Sequence, residues 1–142
     1  METIKAEKYF SWSDAWVFTA LYITGRDEKT IDFGQIIFAG DALNHAIFSV
    51  EEIKTAFVKL QKRGIIKVND NKIGFTDLGK IIIDKAEKVR GGMFSRVDIS
   101  LKKLNSNRIK LPYCEEIKDC SFITQEVVLK AYKKYLKKFK GI

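Results

Sequence analysis

Residues 49–83 read SVEEIKTAFVKLQKRGIIKVNDNKIGFTDLGKIII, and this stretch decides the fold. Ile53, Phe57 and Leu60 recur at i, i+4 and i+7, the spacing of one helix face. Gly64 follows the cationic turn Lys62-Arg63, a common way to stop a helix. Ile65-Ile66-Lys67-Val68 is short and largely β-branched, which suits a strand. Asn69-Asp70-Asn71 is a turn cluster. Residues 73–75 return as a second strand. Thr76 is then placed to cap a helix expected over 76–90, with Leu78, Ile81, Ile82, Ala86 and Val89 inward. The stretch therefore reads helix, strand, turn, strand, helix.

The pattern Leu60-x-x-Arg63-Gly64-x-Ile66, followed by Thr76-x-x-Gly79, resembles winged-helix transcription regulators of the MarR and PadR type. The resemblance covers residues 12–90. It implies a mainly α fold with a small β-hairpin, a winged helix-turn-helix, here with C-terminal helices added. It further implies that the helix after Ser49 is a recognition helix, that the hairpin is the wing, and that double-stranded DNA is the partner of a transcriptional regulator.

Outward from that core, Ser11 or Ser13 caps a first helix expected over 14–24, with Gly25 just beyond it. Trp16, Val17, Phe18, Ala20, Leu21, Tyr22 and Ile23 make it apolar nearly all round, as in a helix buried on most sides. A partner subunit would cover whatever one chain does not. Residues 1–10 read as a lead-in arm or short strand. A short strand is expected at 31–33 and a second helix over 33–39. The connector 40–48 is longer than a standard helix-turn-helix turn. It holds Asp41, Asn44 and His45 between apolar neighbours. Helix-end capping by Asp41 or Asn44, with His45 meeting a buried carbonyl, accounts for them; no nucleophile or metal set nearby supports an Asp–His general base.

Gly91-Gly92 marks an internal boundary. It separates a winged-helix domain, 1–90, from a basic helical extension, 91–142, expected to pack on it. The extension reads as a helix over 94–105 with Val97, Leu101 and Leu104 on one face, a basic loop carrying Arg108 and Lys110, and a last helix over 123–140. On that helix Val128, Leu129, Tyr132, Tyr135, Leu136 and Phe139 fall on one side. Lys130, Lys133, Lys134, Lys137, Lys138 and Lys140 fall on the other.

The chain has 142 residues, one domain's worth, and 46% hydrophobic content supplies a core. Its formal charge is +8, unevenly spread. Residues 1–90 hold 14 Lys/Arg against 13 Asp/Glu, whereas residues 91–142 hold 12 against 5. The excess thus lies outside the helix–hairpin stretch. Cys114 and Cys120 lack zinc-site spacing and the chain has a single histidine, so no metal is expected. Glu115 and Glu116 beside Cys114 argue against a reactive thiol. No apolar leader or membrane-length run is present, which predicts a cytoplasmic protein with no membrane span. Phosphate-loop and dinucleotide patterns are absent. Nothing implies a cofactor or a catalytic residue, so no enzyme is expected.

The candidate recognition helix presents Glu51, Glu52, Lys54, Thr55, Lys59, Gln61 and Lys62 outward. Groove readout favours Arg, Lys, Asn and Gln near a helix N-terminus, and here that end is acidic. The candidate nucleic-acid contacts are Lys54, Thr55, Lys59, Lys62 and Arg63, with Lys72 on the wing and Lys130, Lys134 and Lys137 on the last helix. The lysine face of that helix has three readings: nucleic-acid phosphates, an anionic membrane surface, or a solvated face whose apolar stripe packs on the core or on a second subunit. A homodimer would match two half-sites. The alternative is a winged-helix protein–protein interaction module that binds a protein partner and no DNA.

Overall fold

Ser11 opens the first helix, α1 (Trp12–Thr24), through a reciprocal capping box. Its hydroxyl accepts from the Asp14 amide at 3.3 Å, and the Asp14 carboxylate accepts from the Ser11 amide at 2.8 Å. Residues 14–22 are all buried, because α2 (Phe33–Asn44), α3 (Val50–Lys62) and α5 (Arg96–Leu104) pack around this helix. The chain covers its own apolar helix. Trp12 and Ile23, at the two ends, stay exposed. This computed structural model describes residues 9–106 and 110–140, the side chains of Phe94, Phe139 and Lys140 aside. The arm before Tyr9, and Arg108, lie outside the described residues.

Between α1 and α2, the first strand, β1 (Lys29–Thr30), falls just before the expected 31–33. Asp32 ends it by capping α2, accepting from the Gln35 amide at 3.2 Å. The second helix does not stop at 39 but runs on to Asn44. Gly40 looks like a terminator and is instead a close-approach site. A Cβ there would lie 2.3 Å from the Phe48 ring, and the Gly40 carbonyl accepts from the Trp16 indole at 3.0 Å. The long connector therefore shrinks to a short turn that starts at His45, an exposed residue in the left-handed region with φ 52°. His45 is exposed, where the sequence suggested a buried position.

Ser49 starts α3 with a second capping box, to Glu52. Ile53, Phe57 and Leu60 are fully buried, as their spacing predicts; each such side chain contributes about 1.5–3 kcal/mol by leaving water. Gly64, at φ 69°, turns the chain out of α3. The hairpin follows as β2 (Ile66–Asn69) and β3 (Lys72–Phe75), in register Ile66↔Phe75 to Asn69↔Lys72. Asp70 takes the left-handed position in the two-residue loop. β1 adds to the far edge of β3, giving a three-stranded antiparallel sheet in the order β1-β3-β2.

Thr76 caps α4 (Asp77–Glu87) and ties it back to the end of α3. Its hydroxyl donates to the Gly64 carbonyl at 2.6 Å and accepts from the Gly79 amide at 3.0 Å. Gly79 lets the helix rest on the backbone, since a Cβ would sit 2.2 Å from the Ile65 oxygen. This docking sets which stripe faces inward: Gly79, Ile82, Ile83 and Ala86 are buried. Ile81 and Val89, expected inside, are exposed. Beyond Gly91-Gly92 a short 3-10 turn (Met93–Ser95) leads into α5, whose Val97 and Leu104 are buried against α1 and α4. Arg96 closes the end of α4 by donating to the Ala86 carbonyl at 3.1 Å.

The last helix, α6 (Gln125–Tyr135), continues as a π-helical turn over Leu136–Lys140 and seats chiefly on α2. Val97, Leu104, Cys120, Ile123, Val128 and Tyr135 join the same hydrophobic cluster as the buried residues of α1 to α4. The fold is thus mainly helical with one small antiparallel sheet. Among the described residues no helix is long and apolar enough to cross a membrane.

Candidate functional site

Burial of the Ile53/Phe57/Leu60 face leaves the opposite side of α3 outward. There an open groove of about 390 Å³ is lined by Tyr9, Lys54, Thr55, Val58, Lys59 and Lys62. Four candidate residues, scattered over three turns of sequence, thus share one surface. The acidic start of α3 is partly spent internally. Glu52 accepts from the Ser49 amide at 2.9 Å and from the Ser13 hydroxyl at 3.0 Å, so its carboxylate is held at the helix end. Glu51 remains exposed.

Two of the cations expected to meet a ligand are also held internally. The Lys59 amino group pairs with Asp14 at 2.8 Å, and Asp14 is 1% exposed. Lys59 also donates to the Tyr9 carbonyl at 3.2 Å. A buried carboxylate needs this charge, so Lys59 lines the groove as part of its wall rather than as a free phosphate contact. Arg63 lies over the Tyr9 ring, 5.1 Å from its centroid, and donates to the Leu111 carbonyl at 3.4 Å. Its Nε is buried without a hydrogen-bond partner. Both placements have one cause. Tyr9, Asp14 and Leu111 lie far from α3 in sequence, and the fold brings them to it. Burial pushes the Tyr9 hydroxyl above its ordinary pKa, with Tyr113 adding to the rise.

Gln61, expected to point outward, is buried. It accepts from the Lys118 amide at 3.0 Å and donates to the Lys118 carbonyl at 3.2 Å. The thiol of Cys120 lies 3.5 Å from the same amide nitrogen. Burial pushes that thiol up in pKa, opposed by the bond from Gln61. Lys54, Thr55 and Lys62 are the α3 candidates left facing the groove. Lys72 is exposed at the hairpin turn.

Lys130, Lys134 and Lys137 are exposed on α6. That helix sits on α2, so its lysines form a basic face carried by a different helix from the one that carries the groove. Val128 and Tyr135 are buried there, whereas Leu129, assigned to the apolar side, is 44% exposed. Val127 is exposed as well, so α6 turns only part of its apolar side onto α2. The Tyr135 hydroxyl donates to Asp41, and its ring meets Phe38 edge-on at 6.1 Å. Burial, then the bond to Asp41, pushes the Tyr135 hydroxyl up to about 12. Asp41 therefore ties two helices together.

Sequence reasoning missed Tyr9, Val58 and Asp14 as parts of the site. The Ser11–Asp14 spacing marks a capping box, but nothing local marks the pairing of Asp14 with Lys59. Among the described residues, no group of three or more His, Cys, Asp or Glu is placed to hold a metal ion. No family model, curated protein or solved structure matches this chain.

Proposed function

We propose that this is a winged-helix nucleic-acid-binding protein that meets phosphates along α3. The order α1-β1-α2-α3-β2-β3-α4, with strands arranged β1-β3-β2, supports the winged-helix reading. The observation that carries the functional reading is the open groove on α3, where Lys54, Thr55 and Lys62 face outward together. Two ammonium groups and a hydroxyl along one helix are the chemistry that contacts a phosphate backbone. Lys72 at the wing tip extends the contact, and Lys130, Lys134 and Lys137 supply a second basic face for the flanking strand. A regulator of transcription is the role this reading implies.

The experiment is anisotropy of a labelled generic DNA duplex at low salt and then across a salt series. Binding that falls steeply with salt is expected. Lys54→Ala and Lys62→Ala should each lower the salt slope by about 0.9, one released phosphate contact apiece. A protein-binding module without DNA is the second reading. It is favoured by the near-balance of charge in residues 1–90 and by the internal pairing of Lys59. Absence of binding at low salt would choose it.

A further inference from the structure

Residues 110–123 form neither helix nor strand, yet they are laid along α3 by a series of specific contacts. Pro112 rests on Gly64, where an added Cβ would lie 2.6 Å from the proline ring. The Cys114 amide donates to the Lys62 carbonyl at 2.7 Å. Gln61 then grips Lys118 through both its amide and its carbonyl. Cys120, which follows, is buried. Lys62 and Gln61 thus hold this strap against the half of α3 that also walls the groove.

The strap is fastened but lightly packed. Between Leu104 and Cys120 no described side chain is buried. Segments with so few buried apolar contacts open at low free-energy cost. Its charge is also opposite to that of the groove. Residues 113–120 carry Glu115, Glu116 and Asp119 against one lysine, and all three carboxylates are exposed. The backbone contacts at Cys114 and Lys118 anchor these carboxylates at the C-terminal end of α3.

We propose that the strap, residues 111–120, is an autoinhibitory rim that competes with a polyanion for α3 and is displaced when one binds. This rests on the phosphate-binding reading of the groove. Opening the strap releases the Lys62 carbonyl and removes three carboxylates from the C-terminal end of α3. The strap therefore sets affinity without touching the ligand.

The test uses the full chain and the labelled generic duplex. One variant neutralises the strap (Glu115→Gln, Glu116→Gln and Asp119→Asn together). A control neutralises exposed acids elsewhere (Asp27→Asn, Glu28→Gln and Asp77→Asn). A third, Gln61→Ala, removes the clamp. Hydrogen exchange at the Cys114 and Lys118 amides reads the strap directly. The strap variant should bind about ten-fold tighter than wild type and the control no more than about three-fold tighter. Gln61→Ala should speed exchange at Lys118, and duplex should speed exchange at Cys114 in wild type. If wild type binds duplex, but the strap variant matches the control and Cys114 exchange is unchanged, the strap proposal fails and the groove stands. If no chain binds, even Gln61→Ala with its strap amides in fast exchange, both fail together. Binding only after the strap is neutralised or released supports both. Should Gln61→Ala not fold, the strap variant, altered only at exposed side chains, decides alone.

Discussion

Replacing Lys59 by methionine should destabilise the fold far more than it weakens any ligand. The side chain keeps its length and apolar stem but loses the charge that meets Asp14 at 2.8 Å. Asp14 is 1% exposed, so its carboxylate would be left with the Ser11 amide and no cation. Breaking a fully buried pair in this way costs about 3–5 kcal/mol. Lys59 itself is 28% exposed, so water already screens part of the attraction. About 2–3 kcal/mol is therefore expected. Urea unfolding of wild type, Lys59→Met, Asp14→Asn and the double variant would measure this. The midpoint should fall sharply for Lys59→Met with an unchanged slope. Adding Asp14→Asn should recover part of the loss, because the orphaned charge is gone. Under conditions where Lys59→Met stays folded, its duplex affinity should keep the wild-type salt slope. A loss below about 0.5 kcal/mol, the range of an ordinary surface change, together with a salt slope reduced like that of Lys62→Ala, would refute the structural role given to Lys59.

Gly79→Ala should cost about 2 kcal/mol or more in the same urea assay, because a methyl group 2.2 Å from the Ile65 oxygen forces α4 off the end of α3; Gly92→Ala, with nothing within 4 Å, serves as the tolerated comparison. Tyr135→Phe should cost about 1 kcal/mol for the lost bond to Asp41 and should alter alkaline stability. The folded Tyr135 hydroxyl titrates at about 12 against an ordinary 10.0, so its contribution is whole below about pH 10. Above that, the unfolded chain loses the proton first, and stability falls as pH rises towards 12. The variant should lose that part of the decline when urea midpoints are compared across this window.

Elements whose signals are local could be read from the sequence. Ile53, Phe57 and Leu60 are buried because a helix repeats every 3.6 residues, whatever surrounds it. Asn69-Asp70-Asn71 gives the hairpin because one of these residues must adopt a left-handed conformation, and Asp70 does. Thr76 and Gly79 mark the start of α4 for reasons of capping and close approach. What could not be read depends on partners distant in the chain. Gly40 carries α2 onward because the Phe48 ring fills the place of its missing side chain while its carbonyl accepts from Trp16. Gln61 turns inward because Lys118 offers it an amide and a carbonyl. Lys59 has the same chemistry as Lys62, and only the position of Asp14 separates the wall of the groove from its free edge.

Formal charge therefore misstates what a ligand at α3 would meet. By count, residues 1–90 are nearly neutral, and two glutamates open the helix. By position, Asp14 is matched by Lys59 and Glu52 is bound into its capping box. The Asp14–Lys59 pair adds little to the outward field, because a charge paired at contact distance acts weakly beyond its partner, whereas Glu52, hydrogen-bonded to neutral groups, keeps its charge at the start of the helix. On α3 this leaves Lys54 and Lys62 on the groove side and Glu51 and Glu52 in the first turn, two against two. The three carboxylates of residues 115–119 then lie at its C-terminal edge, held there by Gln61 and Lys62. With charges so nearly balanced, displacing a segment that carries three carboxylates and one lysine shifts the local field towards positive. The strong basic excess of α6 stays fixed on α2 throughout. It can attract a polyanion in either state of the strap, whereas the strap bears on the C-terminal end of α3 alone.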